Sequence, residues 1–375
     1  MLFSFTTEQE ELRQTVRRFL EDRSTSSAIR RQIEGREHDH GLWAAVSRDL
    51  GLCGVHIPEQ YGGQGLGFVE LGIVAEEMGR ALLVAPYFAS VVLAASAIMN
   101  AGNDRQKAQL LPAIASGETI ATLALAEPSG RWDAASVELT ATADGEAFRL
   151  DGVKSFVVDG CSAEQIIVLG RAPGSCGDEG LAFFAVRATA DGLERTPLAT
   201  LDATRRQARL AFSGVRAQLL GDPGSGAAAL SRTLDHAAVV LANEMVGGAQ
   251  RVLEMALDYV KARVQFGRPI GSFQAIKHRL ADLVLEVELA KAAAYHASET
   301  AADESPELPA VASLAKACAS DAFVLAASEN IQLHGGIGFT WEHDAHLYFR
   351  RARSSAALLG DAAHHREQVA RRWGM

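Results

Sequence analysis

The chain has 375 residues, of which 48% are hydrophobic and 22% are charged, and its formal net charge at pH 7 is −10. This length predicts about two or three domains, and the composition is that of a soluble globular protein. Because phosphate contacts need a basic face, the acidic balance argues against nucleic-acid binding as the main role, although a few arginines suffice for one anion pocket.

The four cysteines, at positions 53, 161, 176 and 318, show no CxxC spacing. This pattern is typical of a reducing compartment and predicts no structural metal. The N-terminal residues lack the basic and apolar regions of a secretion signal, and no apolar run is expected to reach membrane-spanning length. We therefore expect a cytoplasmic protein without a membrane span.

The first 120 residues are predicted to form a helical domain. Thr7 is a candidate N-cap with Glu10 as its capping-box partner, and apolar residues follow at helical spacing from Leu12 to Leu20. The glycine-rich segment 51–67 is predicted to be a loop, and its glycines lack the spacing of a Rossmann dinucleotide site. Further helices are predicted over 68–83, 90–101 and 104–115.

The character of the sequence changes near Ala121. Up to about Gly221, short apolar or alternating runs are separated by glycine, aspartate and proline, which predicts an antiparallel β-domain over 121–222. Its strands are expected at 137–142, 147–150, 155–158, 165–170, 181–187 and 207–212. From Gly224 onward the chain is alanine-rich, and 230–263 alone is long enough for a helix of about 50 Å. Such lengths predict a helical bundle over 223–375.

The segment 259–282 carries the most informative pattern. A long helix runs into Arg263, is interrupted by glycines and a proline between 267 and 271, and resumes at Phe273. A helical hairpin of this kind presents a cation (Arg263), an aromatic ring (Phe266) and an amide (Gln274) at one turn. That set suits a large anionic cofactor with a ring and a pyrophosphate. The alternative is an ordinary helix turn with a surface arginine and glutamine.

This segment resembles a signature of the acyl-CoA dehydrogenase family, Arg-x-x-Phe-Gly-x-x-Ile-x-x-x-Gln. A second signature of that family follows as Gln332-Leu-His-Gly-Gly-Ile-Gly-Phe-Thr-Trp-Glu342. Their order and spacing match over about the last half of the chain, and weaker similarity extends to the N-terminus. The resemblance implies an α+β fold with an N-terminal helical domain, a middle β-barrel and a C-terminal four-helix bundle. It also implies an oligomeric FAD enzyme of lipid metabolism that is reoxidised by an electron-transfer flavoprotein. Oxygen is the alternative acceptor.

In that family FAD lies between the β-domain and the bundle and reaches across a subunit interface. The resemblance implies that Arg263 holds the pyrophosphate of a neighbouring subunit's flavin, since arginine offers paired donors. The glycines of the second signature allow close backbone approach, or alternatively form a simple helix stop. The remaining residues implied on this far side of the flavin are Phe266, Gln274, Gln332, Gly335 and Gly336.

The near side of the flavin is implied to come from the β-domain. Segment 124–129 resembles the family's Thr-Glu-Pro loop, and segment 154–160 resembles its Lys-x-Trp-Ile-Thr-Asn-Gly strand. The implied contacts are Leu125, Ala126, Phe156 and Val158. Four residues differ from the family pattern: Ala126 and Val158 replace Thr, Trp132 replaces a small Ser, and Phe156 replaces Trp. The lost Thr and Ser hydroxyls remove expected hydrogen bonds to the flavin. Phe156 still offers a ring to cover the flavin, and barrel core is the alternative for Phe156 and Val158.

The family reaction needs a carboxylate base in a water-poor cavity to take a proton from Cα of a thioester, while flavin N5 accepts a hydride from Cβ. The two positions that usually carry this base hold Leu359 and Ala237 in this chain. Ala238 also replaces an arginine that is usual beside the second position. The sequence therefore lacks the expected base.

Two carboxylates are candidate substitutes for the base. Glu244 lies seven residues after Ala237 on the same helical face, and Asp361 lies two residues past Leu359. The alternatives are a buried ion-pair carboxylate for Glu244 and a helix N-cap for Asp361. Asp235 matches a position that contacts the CoA arm, or is a solvated helix residue. His236 and the pair at 364–365 are expected at the surface or in subunit contacts.

Two functions remain open from the sequence. The chain is either an active dehydrogenase with a non-standard base, or a non-catalytic or half-catalytic subunit that completes the FAD site of a partner carrying the glutamate. The substrate is an acyl thioester, carried by CoA or by a carrier protein. The expected assembly is a homo- or hetero-oligomer, dimeric or tetrameric.

Overall fold

The computed structural model describes residues 4–35 and 38–375. Residues 1–3, part of the segment from which the absence of a secretion signal was predicted, lie outside these ranges. The described helices are α1 Thr7–Arg23, α2 Ser26–Glu34, α3 His40–Ala44, α4 Phe68–Arg80, α5 Ala95–Ala101, α6 Asp104–Ala115, α7 Gly226–Ala262, α8 Gln274–Ala302, α9 Leu308–His334, α10 Ala345–Ala357 and α11 Ala362–Arg372. The strands are β1 Ala121–Ala124, β2 Thr140–Asp144, β3 Ala147–Val158, β4 Gln165–Arg171, β5 Leu181–Arg187, β6 Leu193–Pro197, β7 Gln207–Leu220, β8 Val264–Gln265 and β9 Arg268–Pro269.

Contacts divide the chain into two compact units. One holds Phe68–Leu83 and Ala238–Met375 with the described residues up to Glu34, and it is helical apart from the short β8–β9 hairpin. The other holds Val84–Ala237 with the described residues from Gly35 to Gly67, and it contains the large sheet. The predicted order of helices, barrel and helices is confirmed. The three domain ranges 1–120, 121–222 and 223–375 stay a prediction.

The first helix begins one residue earlier than predicted. Its N-cap is Thr6, whose hydroxyl accepts from the amide of Gln9 at 3.2 Å, while the Gln9 side chain accepts from the Thr6 amide at 3.0 Å. The capping box therefore uses Thr6 and Gln9 rather than Thr7 and Glu10. The physical reason is that Thr6 is extended and Thr7 is already helical, so only Thr6 can close the box.

Helices α4 and α7 cross in the first unit with their backbones in contact. A Cβ added to Gly79 of α4 lies 1.8 Å from the carbonyl oxygen of Glu244, and one added to Gly247 of α7 lies 1.8 Å from that of Glu76. Each helix thus offers a glycine to the backbone of the other. This reciprocal contact brings α7 close to the buried ion pair between Arg13 of α1 and Glu76, whose Nη1 and Oε2 atoms are 2.9 Å apart.

The sheet of the second unit closes into a barrel. The ring runs β2–β3–β7–β5–β4 and returns to β2 through the pair Thr140 and Arg171, while β1 adds to β4 and β6 adds to β7. The runs predicted at 147–150 and 155–158 are one strand, β3, because its bulges let it continue along β7. The prediction of an antiparallel β-domain is wrong at two pairings: β1 lies parallel to β4, and β2 is also parallel to β4 where it meets that strand.

Within residues 4–35 and 38–375, one helix has the length and hydropathy of a membrane span. It comprises α9 and the turn that follows, Leu308–Phe339, so the expectation that no apolar run reaches that length is wrong. The most apolar window of this helix is 72% buried inside the protein, as in a core helix, and such a helix alone is weak evidence for a membrane.

Candidate flavin-binding surface

The turn after α7 is a tight hairpin with an aromatic residue at its tip. Val264 pairs with Pro269, and Gln265 pairs with Arg268. Phe266 sits at the tip with a φ of +52°, and its side chain is 92% exposed. A non-glycine residue at positive φ is strained, and such strain concentrates at ligand-binding positions. The hairpin therefore holds an apolar ring in solvent, where burial within the chain stabilises it very little.

Arg263 lies at the base of this hairpin. Its amide donates to the Tyr259 carbonyl at 2.8 Å, and its carbonyl accepts from the Ile270 amide at 2.8 Å, so the backbone is fixed on both sides. The guanidinium is exposed and forms no ion pair with a carboxylate of the part of the chain that the structure describes. Gln274, the first residue of α8, is also exposed. A positive charge without an internal partner is available for an external anion.

The second motif meets the first at the end of α9. The ring of Tyr259 stacks on that of His334, with centroids 4.1 Å apart, and the Tyr259 hydroxyl donates to the His334 carbonyl at 3.4 Å. Gly335 follows with a φ of +64°, and a Cβ added to Gly335 or Gly336 meets nothing within 4 Å. Gln332 is exposed one turn earlier. The structure thus brings the two motifs together in one unit.

These residues fit the far side of FAD. An exposed guanidinium suits a pyrophosphate, an exposed phenyl ring suits a flat aromatic ligand, and open glycines leave backbone amides accessible. The match is one of hydrogen-bond donors and of open space around Gly335 and Gly336. The roles of Arg263, Phe266, Gln274, Gln332 and of Gly335 with Gly336 stay predictions.

The near-side residues lie in and beside the barrel. Phe156 occupies a bulge of β3 with a φ of +57°, and its side chain is 38% exposed, whereas that of Val158 is buried in the core. Leu125 and Ala126 are buried too, and the Ala126 carbonyl accepts from the Ser155 amide at 2.8 Å. Of these four residues, Phe156 alone presents a substantial side-chain surface to a ligand. Val158 matches the barrel-core alternative.

Sequence reasoning missed a buried ion pair behind the near-side loop. Lys154 is fully buried, and its Nζ donates to the Leu125 carbonyl at 2.9 Å and to Glu127 Oε1 at 2.8 Å. Burial lowers the pKa of Lys154 to about 8, and the Glu127 carboxylate opposes that shift. The available signal was a charged residue, Glu127 or Lys154, next to apolar residues in each of the two segments. A charged side chain that is buried in a core needs a partner of opposite charge.

The Leu359 position keeps a constrained turn without a carboxylate. Leu359 has a φ of +63° and is 4% exposed. Buried Lys316 donates from Nζ to the carbonyls of Ala356 at 3.3 Å and Gly360 at 3.1 Å, and His365 Nε2 lies 3.2 Å from the Leu359 carbonyl. Ala237, at the other usual position, is fully buried in α7. Neither position offers a group that accepts a proton.

The two substitute carboxylates are already engaged. Glu244 is 8% exposed, and its Oε1 lies 3.0 Å from Nη1 of Arg351, which also donates to the Leu83 carbonyl at 3.2 Å. Asp361 is the N-cap of α11 and accepts from the His364 amide at 2.8 Å. Both match the alternatives of an ion-pair carboxylate and a cap. A catalytic role for either stays a prediction.

Three expectations about polar residues of the C-terminal half are corrected. Asp235 is buried rather than solvated, and its contact with the CoA arm stays a prediction. His236 and His365 are buried rather than at the surface, and only His364 of the pair is exposed. Burial inside packed helices is decided by the tertiary fold, which local sequence does not reveal.

Comparisons with known proteins identify the family that this chain resembles. Models of the acyl-CoA dehydrogenase N-terminal, middle and C-terminal domains match residues 6–118, 122–215 and 224–374. The chain is 36% identical to acyl-CoA dehydrogenase IpdE2 of Mycobacterium tuberculosis, over 94% of this chain and 93% of that protein. In structure it is similar to the Tcur3481-Tcur3483 steroid ACAD, with a TM-score of 0.88, 32% identity and coverage of 98% and 97%. It is also similar to butyryl-CoA dehydrogenase from Megasphaera elsdenii, with a TM-score of 0.93, 26% identity and full coverage of both chains.

Proposed function

Because this chain belongs to the acyl-CoA dehydrogenase family of FAD-binding oxidoreductases, we propose that it is the subunit that completes a partner's FAD site in the α,β-dehydrogenation of an acyl thioester. One observation carries the proposal. A cation, Arg263, and a ring, Phe266, stand exposed at one turn, while both usual base positions hold aliphatic side chains. The similar steroid ACAD is named for two components, Tcur3481 and Tcur3483, which supports a heteromer.

The proposal assigns each exposed group a task toward the partner's cofactor. The Arg263 guanidinium neutralises the pyrophosphate, Phe266 packs against the ring system, and the amides of Gln274 and Gln332 bond its polar edges. When bound, FAD accepts the hydride that leaves Cβ of the thioester. The open backbone of Gly335 and Gly336 excludes water by allowing close contact.

The proton from Cα is assigned to a carboxylate of the partner. A general base must reach the proton and must be free to accept it. In this chain Glu244 is paired with Arg351, and Asp361 caps α11, so accepting a proton weakens an existing interaction in each case. A partner with Glu at the position of Leu359 has the required group.

The test uses the chain alone and together with a homologous chain that carries Glu at the position of Leu359. We expect FAD retention and acyl-CoA oxidation only in the mixture. Arg263→Ala should weaken FAD binding by the mixed complex by about 1.5–3 kcal/mol, the contribution of a charge-assisted hydrogen bond. Arg371→Ala is the matched control, since Arg371 is an exposed arginine paired with Glu367. Tight FAD and substrate bleaching by the chain alone overturn the proposal.

A second candidate is an active enzyme with Glu244 as its base. It is favoured by the burial of Glu244 on α7, the helix that carries Ala237 two turns earlier. In that case the chain alone reduces its flavin with substrate, and Glu244→Gln abolishes the reduction while flavin stays bound. Retention of full activity in Glu244→Gln removes this candidate.

The carrier of the acyl group and the electron acceptor are separate questions within the proposal. We propose CoA thioesters as substrates, with acyl groups on a carrier protein as the alternative, and an electron-transfer flavoprotein as acceptor, with oxygen as the alternative. Matched acyl-CoA and acyl-carrier substrates distinguish the first pair. Peroxide formation in air, compared with reduction of an added electron-transfer flavoprotein, distinguishes the second.

A further inference from the structure

Three aromatic rings form a column beneath the two exposed turns. Tyr259 stacks on His334 with centroids 4.1 Å apart and planes 29° apart, and His334 faces His343 at 4.4 Å. Tyr259 lies in the last turn of α7, His334 ends α9, and His343 precedes α10. The column therefore connects three segments that are distant in sequence.

Hydrogen bonds orient the two imidazoles of the column, and a longer one joins Tyr259 to the backbone of His334. His334 Nδ1 donates to the Asn330 carbonyl at 2.8 Å, so its proton lies on Nδ1 in the neutral state. His343 Nδ1 accepts from the Ala345 amide at 3.1 Å. The Tyr259 hydroxyl donates to the His334 carbonyl at 3.4 Å. His334 is buried, although the residue after it, Gly335, is exposed.

The column lies directly against both groups of proposed cofactor residues. Tyr259 accepts the amide of Arg263 on its carbonyl at 2.8 Å, and His334 adjoins Gly335 in the chain. Residues that act together on one ligand must be held in a fixed mutual position by packed neighbours. The Arg263 turn and the Gly335–Gly336 turn end different helices, so a side-chain contact between them has that effect.

We propose that Tyr259, His334 and His343 are positioning residues that couple the Arg263 turn to the Gly335–Gly336 turn, so that both bind one pyrophosphate-bearing cofactor as a single surface. The inference rests on the proposed far-side function and names the residues through which that surface is kept rigid. None of the three is assigned a contact with the cofactor.

The first test compares Tyr259→Phe with Tyr259→Leu in the complex with the partner chain, using FAD as the probe. Phenylalanine keeps the stack and loses only the long hydroxyl contact, so FAD affinity should stay within about twofold, a change of about 0.4 kcal/mol or less. Leucine removes the stack, and affinity should fall by about tenfold, which corresponds to 1.4 kcal/mol. Equal affinities of the two variants overturn the inference.

The second test measures coupling between the turns by a double-mutant cycle. Arg263→Ala and Gln332→Ala should be non-additive in FAD affinity in the wild-type background and additive in Tyr259→Leu. A Tyr259 that merely stabilises the fold lowers the melting temperature of the chain without changing this coupling. Unchanged non-additivity in Tyr259→Leu contradicts the inference.

A third measurement separates failure of the inference from failure of the proposed function. Amide hydrogen exchange of the isolated chain, without cofactor, should increase over 335–343 in Tyr259→Leu and stay at the wild-type rate in Tyr259→Phe. If Arg263→Ala leaves FAD binding unchanged, the proposed function fails whatever the exchange shows. If exchange over 335–343 is the same in both Tyr259 variants, the column does not position the turns.

Discussion

Three buried imidazoles titrate far from their usual range. Burial lowers the pKa of His56 to about 3, of His236 to about 4 and of His365 to about 3. For His365, the nearby Lys316 ammonium lowers the pKa further. Each of these rings stays neutral in the folded protein at pH values where an exposed histidine is already protonated. Protonation of these residues therefore favours the unfolded chain.

We expect His365 to contribute to acid sensitivity. Its folded pKa is lowered from 6.5 to about 3, so between these values the unfolded chain binds more protons than the folded chain. The free energy of unfolding therefore falls as the pH falls through that window, by up to about 1.4 kcal/mol per pH unit. Melting temperatures of His365→Gln between pH 7 and 4 should fall less steeply than those of wild type. His364→Gln is the exposed control, and identical slopes in all three proteins contradict the expectation.

The crossing of α4 and α7 shows how a pair of elements depends on two missing side chains. Gly79 and Gly247 allow the two backbones to touch. The carbonyl groups that they contact belong to Glu244 and Glu76. Close backbone approach of this kind leaves no volume that a neighbouring side chain can vacate. Glycine costs helix propensity, so its presence in both helices is explained by packing.

We expect Gly79→Ala to destabilise the protein by about 3 kcal/mol or more, at the upper end of overpacking effects, because the added Cβ meets a carbonyl oxygen at 1.8 Å. Gly336→Ala should leave the stability of the cofactor-free chain within about 0.5 kcal/mol, as for other surface substitutions. Chemical denaturation of the two variants measures both values. A Gly79→Ala variant as stable as Gly336→Ala shows that the helices do not touch there.

The elements predicted correctly from sequence are those with strong local patterns. The alanine-rich run with few breakers predicted most of α7, and two short continuous apolar runs predicted β4 and β5. Strand β1 was missed because its four residues, Ala-Thr-Leu-Ala, fit a helix or a strand equally well. Strand β6 was missed because its five residues, Leu-Glu-Arg-Thr-Pro, lack an apolar face. It forms only by pairing with β7.

The candidate site was predictable to the extent that its residues lie in motifs. The Arg263 turn and the Gly335–Gly336 turn were found as separate signatures. Their junction was not, because Tyr259 and His334 are 75 residues apart and nothing local marks them as neighbours. The partners of Glu244 and Asp361 were likewise visible only in the fold, where one carboxylate faces Arg351 and the other caps α11.

At the scale of the whole molecule, helix α8 exposes a stripe of apolar side chains. Leu285 and Leu289 stand one turn apart on α8 with exposures of 58% and 56%, and Val284 lies beside them. Oligomers are typical of this family, and exposed apolar stripes on helices mark protein interfaces. We therefore expect α8 to lie in a contact between subunits.

The expected consequence is that Leu285→Lys with Leu289→Lys lowers the association state. Burying two ammonium groups in an apolar contact is strongly unfavourable, so the dissociation constant should rise by at least about a hundredfold, or roughly 2.7 kcal/mol. Sedimentation analysis over a range of concentrations measures it. Leu201→Lys, an exposed leucine outside α8, is the control. An unchanged oligomer in the α8 variant contradicts the assignment.

The turn at Leu359 has a consequence for sequence variation at that position. The backbone there has a φ of +63° and is held by bonds from Lys316 to the Gly360 carbonyl and from His365 to the Leu359 carbonyl. Side chains branched at Cβ are the least compatible with that backbone conformation, and glycine and asparagine the most. In a saturation library at position 359 selected only for folded protein, valine, isoleucine and threonine should be depleted first. The backbone conformation at position 359 thus limits which residues the folded protein tolerates there, independently of any catalytic role of the side chain.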